Sequence, residues 1–73
     1  MNLTDDPLAV NLYFYRDANL DLKKIATNPF ALMEKQQAAC EMIGAAKIVY
    51  HDYDIWAKFN TEADMIMFKL RYS

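Results

Sequence analysis

His51, Asp52 and Asp54 lie in one short stretch, and an imidazole beside two carboxylates is in principle a set for a divalent metal or for acid–base chemistry. Aspartates at a tight turn, however, bond their own backbone, and nothing else in the chain has to converge there, so the stretch reads as a turn. Cys40 and His51 are the only thiol and the only imidazole. A Cys–His nucleophile needs only spatial adjacency. Cys40, though, falls inside an apolar helical arc, where a free thiol behaves as a small buried hydrophobe. One Cys and one His leave neither an internal disulfide nor a tetrahedral zinc set. With Gly44 as the single glycine there is no phosphate-cradling loop, and no G-x-S-x-G or H-E-x-x-H is present. The expectation is a protein that is not an enzyme and holds neither metal nor cofactor.

The aromatic residues carry more information. Leu8 to Arg16 alternates, with Val10, Leu12 and Phe14 on one face and Asn11, Tyr13 and Tyr15 on the other, as a strand with one core face does. Ile55 to Phe59 alternates as well, placing Ile55, Ala57 and Phe59 opposite Trp56 and Lys58. Pairing of these strands would display Tyr13, Tyr15 and Trp56 as an outward platform. Such a platform suits a protein partner, since Tyr and Trp are common interface anchors, or single-stranded nucleic acid, whose bases stack on rings. Only Lys58 and Lys47 would accompany the rings, short of the basic frame that phosphates require, so the protein partner is favoured.

Other segments must hold these strands. Residues 1–7 read as a polar leader ended by Pro7. Asp17-Ala18-Asn19 reads as a turn, and Leu20 to Thr27 as a short helix or loop, because its apolar positions fit neither period. Asn28-Pro29 starts a helix and Gly44 stops it. At about 100° per residue, Leu32, Met33, Gln36, Ala39, Cys40 and Ile43 share one arc of this helix of about four turns, and the Gln36 amide needs hydrogen-bond partners wherever that arc is buried. Lys47 to Tyr50 and Ile55 to Phe59 form a hairpin across His51 to Asp54.

The last helix opens at Thr61, with Glu62 and Asp64 near its positive end and Lys69 and Arg71 near its negative end. It carries two apolar stripes. Ala63, Ile66, Met67 and Leu70 form one; Met65, Phe68 and Tyr72 form the other, on nearly the opposite side. One stripe covers the sheet, and the second is either covered by the Leu20 segment or the chain ends or available to a partner or a second copy. We expect Met65, Phe68 and Tyr72, with Tyr13, Tyr15 and Trp56, to make protein contact.

A chain of 73 residues, 55% hydrophobic and 25% charged, folds as one small domain, 1–73. The order strand, helix, strand, strand, helix gives an α+β class: a ferredoxin-like plan lacking its fourth strand. A domain this small buries only roughly 60% of its unfolded surface, and an unpaired sheet edge invites a second chain. A net charge of −2 and a pI near 5.1 speak against generic binding to nucleic acid or anionic membranes. No export signal or membrane span is read, so the expected location is cytoplasmic.

The stretch from Trp56 to Tyr72 resembles the C-terminal end of small uncharacterised proteins of tailed bacteriophages, in which a strand ending in Phe runs into Glu-Ala-Asp and a helix with Phe-x-Leu. It departs from that pattern at Tyr72, where Trp is more usual. The resemblance implies a phage origin, and a phage protein of this size without catalytic motifs acts by occluding or redirecting a host protein. Three functions follow as expectations: a modulator or inhibitor that binds a host protein complex; a virion or assembly component that closes a symmetric oligomer, such as a homodimer; and, last, a single-strand nucleic-acid binder.

Overall fold

The computed structural model describes residues 3–73. Three strands form one antiparallel sheet in the order β1-β3-β2, with β1 at Ala9–Asn11, β2 at Lys47–His51 and β3 at Asp54–Lys58. Val10 stands opposite Ala57, and Ala57 opposite Ile48, so one row of small and branched side chains crosses the sheet. Helices α1 (Arg16–Lys23), α2 (Pro29–Glu34), α3 (Gln36–Ile43) and α4 (Glu62–Arg71) complete a β-α-β-β-α arrangement with β3 between the two strands that precede it. This is the ferredoxin-like plan without a fourth strand, and it leaves β1 and β2 as the two edges.

The first strand is shorter than the alternation predicts. Asn11 Oδ1 accepts from the Tyr13 N–H at 2.9 Å, and this local bond folds Leu12–Phe14 into a 3₁₀ turn. Leu12 still enters the core, but Phe14 rolls outward and is 75% exposed. Asp17, Ala18 and Asn19 are not a turn; they belong to α1, because Ala18 and Leu22, four apart, supply its buried stripe. Asn19 Nδ2 donates to the carbonyls of Leu12 and Tyr15, tying the helix to the turn before it.

The single helix expected between Pro29 and Gly44 is two helices, broken at Lys35, where φ is −105° and ψ is 29°. Asn28 caps the first through a bond from the Ala31 N–H at 2.8 Å. Gly44, at φ 75°, ends the second in the left-handed conformation that glycine adopts without a Cβ penalty. The Ala45 N–H then reaches back to the Cys40 carbonyl at 3.0 Å.

The hairpin turns through only two residues, Asp52 and Tyr53, both at positive φ, as the tightest antiparallel connection requires. Thr61 Oγ1 caps α4 by accepting from the Asp64 N–H at 3.1 Å.

The helix α4 does carry two stripes, but their roles are the reverse of those expected. Phe68 and Tyr72 are in the core, with Met65 half-buried against it. Ala63, Ile66, Met67 and Leu70 face outward, Leu70 being 73% exposed. The aromatic stripe takes the interior, where Phe68 meets the rings of Phe59 at 5.2 Å and Tyr15 at 5.1 Å, contacts that the aliphatic stripe cannot make.

Candidate functional site: the open edge of strand β1

The thiol, the imidazole and the turn carboxylates do not assemble. Cys40 lies in the hydrophobic core, where burial pushes its thiol pKa up. His51 stands exposed at the end of the hairpin, 3.1 Å from Asp52, while Asp54 accepts from Asn11 Nδ2 at 3.1 Å. Among the described residues no group of three or more His, Cys, Asp or Glu is placed to hold a metal ion.

The expected Tyr13–Tyr15–Trp56 platform does not form. The 3₁₀ turn takes both tyrosines off the strand. Tyr13 lies exposed against Phe14, edge to face at 5.3 Å. Tyr15 is half-buried against Phe68. Trp56 is only 9% exposed, and Leu3 and Thr4 line the same groove as its ring. Asp6 ties the chain ahead of β1 to the sheet: its carboxylate accepts from the Leu8 N–H at 2.9 Å and pairs with Lys58 Nζ of β3 at 3.2 Å. The backbone bond, and after it the lysine, lower the Asp6 pKa.

Three of the expected contact residues, Trp56, Phe68 and Tyr72, are therefore buried. Tyr72 is bonded inward as well, since its hydroxyl donates to Asp21 Oδ2 at 2.9 Å.

What the fold builds instead is a groove of about 380 Å³ along the outer edge of β1. Ala9, Val10 and Asn11 form its floor. Tyr15, packed on Phe68, and Lys69 of α4 stand on the helical side and Trp56 on the opposite face of the sheet, with Phe14 and Leu3 completing the lining. The Phe59 N–H donates to the Leu8 carbonyl at 3.0 Å, and antiparallel alternation then turns the polar groups of Val10 toward β3 and those of Ala9 and Asn11 away from it. The Ala9 N–H is taken by the Asp6 carbonyl at 3.2 Å. The Ala9 carbonyl and the Asn11 N–H face the groove, while the Asn11 carbonyl begins the 3₁₀ turn. Trp56 Nε1 is buried and has no hydrogen-bond partner.

Two of the expected residues, Tyr15 and Trp56, thus line one site, although not as a flat platform. Phe14, Asn11 and Lys69 were missed by pattern reading. Asn11 was the available signal, since Asn followed by three bulky residues can end a strand by bonding the backbone two residues on. Compared with protein-family models, curated proteins and solved structures, the chain matches none.

Proposed function

We propose that this chain is a non-enzymatic protein-binding module whose contact surface is the β1 groove. The observation that carries the reading is the unpaired outer edge of β1, set between the exposed ring of Phe14 and the half-exposed ring of Tyr15. Unpaired edges are templates for another chain, and proteins that do not use them cover or charge them. The finer reading, a phage-encoded modulator that occludes a host protein, rests on the resemblance of residues 56–72 alone.

The test is site-specific photo-crosslinking in the cells that naturally make the protein. A crosslinking phenylalanine analogue replaces Phe14 in one variant and Phe30, equally exposed on α2, in another. A discrete protein adduct at position 14 that is missing at position 30 supports the groove. The same adducts at both positions, or none at 14, would reject it.

A further inference from the structure

Resting on that reading, we infer that the groove takes an extended segment of a different protein as an added strand, and that this segment carries a carboxylate opposite Lys69.

The two sheet edges are treated differently by the fold. On β2 the tight hairpin makes His51 and Asp54 a bonded pair, so Ile48 and Tyr50 point their backbone groups outward. The Ile48 N–H is already consumed there, donating to Gln36 Oε1 at 3.0 Å, and the Tyr50 ring lies 6.1 Å from that of Phe30. On β1 no described side chain takes the Asn11 N–H. An incoming strand therefore finds one donor, the Asn11 N–H, and one acceptor, the Ala9 carbonyl, on β1 and a plugged position on β2.

Charge narrows the occupant. Among the described residues, Lys69 is the single charged side chain lining the groove, and no carboxylate lines it. Lys58, the next cation, is paired with Asp6. A second copy of this chain would meet the groove with the same lining, so it would bring another Lys69 and no carboxylate from that surface.

Trp56 contributes an apolar wall: its ring lines the groove, while its Nε1 is buried beneath the surface, without a partner among the described residues. Because side chains on a strand alternate, residues of the added segment that point to the helical side meet Tyr15 and Lys69, while those between them face Trp56. The recognised pattern is an acid on the first set and an apolar residue on the second.

Trp56 is the only tryptophan, so its emission reports occupation of the groove directly. The probes are three blocked octapeptides of alternating Thr and Val that differ at one central position, which is Glu, Gln or Lys. Wild-type chain is expected to bind them in the order Glu, Gln, Lys, with about tenfold between the ends. Lys69→Glu is expected to invert the order.

The strand geometry is tested separately by Asn11→Pro against Asn11→Ala. Both lose the side-chain bonds to Tyr13 and Asp54, but only proline loses the outward N–H, and the Asn11 φ of −78° already suits it. Proline should weaken the Glu peptide about tenfold relative to alanine. Should the proline variant lose its native circular dichroism, the Lys69→Glu inversion decides alone. Equal affinity for the three peptides, or no binding, would overturn strand addition, and a persisting adduct at position 14 would then leave the protein-binding reading standing. Loss of the adduct as well would remove both. Light scattering closes the remaining case: a wild-type dimer that Asn11→Pro makes monomeric would show the groove filled by a second copy and would overturn the inference.

Discussion

Tyr72 donates its hydroxyl hydrogen to Asp21 Oδ2 at 2.9 Å, joining the end of α4 to α1 across 51 positions of sequence. This bond is the main reason the Asp21 pKa is lowered, with Lys24 adding to it at 3.4 Å. On the other partner, burial and then the carboxylate raise the Tyr72 pKa.

A depressed Asp pKa stabilises the fold above the unfolded pKa and loses that contribution as pH falls through the folded one; a raised Tyr pKa stabilises below the unfolded value and is lost as pH rises through the folded one. Tyr72→Phe should therefore lower Tm by a few degrees at neutral pH, and its deficit against wild type should shrink both in acid below the Asp range and in strong alkali. Thermal melts carried from below the carboxylate range to above the phenol range, roughly pH 2 to 11, check this. A deficit that stays constant through both extremes would mean that it does not come from the bond to the ionised carboxylate.

The reversed stripes of α4 give a sharper contrast. Phe68→Ala removes a ring that touches three others and should cost about 3–5 kcal/mol, close to the whole stability of a small domain, so much of the chain should be unfolded at about 37 °C. Leu70→Lys on the opposite side should change stability by no more than about 0.5 kcal/mol. Urea denaturation of the two variants checks both; comparable losses would contradict the burial assignment.

Gln36 closes the β2 edge through the backbone of Ile48, a residue that is itself buried. Gln36→Ala should leave that N–H unpaired at a cost of about 1–3 kcal/mol, and Gln36→Glu, which keeps an acceptor, should recover part of it. Hydrogen exchange at the Ile48 amide is the direct readout. Unchanged protection in the alanine variant would show that the side chain is not the lock.

At the hairpin, Asp52 and Tyr53 adopt φ of 51° and 68°, where β-carbons are disfavoured. The double substitution D52N/Y53G supplies the pair that this turn prefers and should stabilise by about 1 kcal/mol, reduced by the greater freedom of glycine in the unfolded chain. A lower Tm would indicate that the exposed Tyr53 ring makes a contact worth more than the backbone strain.

Local chemistry was legible in the order of the residues. The caps at Asn28 and Thr61, the stop at Gly44, the hairpin, the need of Gln36 for a partner, and the β-α-β-β-α order with an edge left open each depend on residues close in sequence or on simple periodicity. The two stripes of α4 were equally plain, because a wheel records which residues share a side. A wheel cannot say which side meets the core; that was decided by Phe59 and Tyr15, which arrive from other elements to receive Phe68. The same limit governed the site. Alternation placed Tyr13, Tyr15 and Trp56 on one face, but the Asn11 bond to Tyr13 ended the strand, and Trp56 came to lie buried while Asp6 paired with Lys58 near it in sequence. Periodicity describes a segment in isolation, whereas burial is settled by what packs against it, and here the groove at β1 exists only because distant segments stop short of covering it.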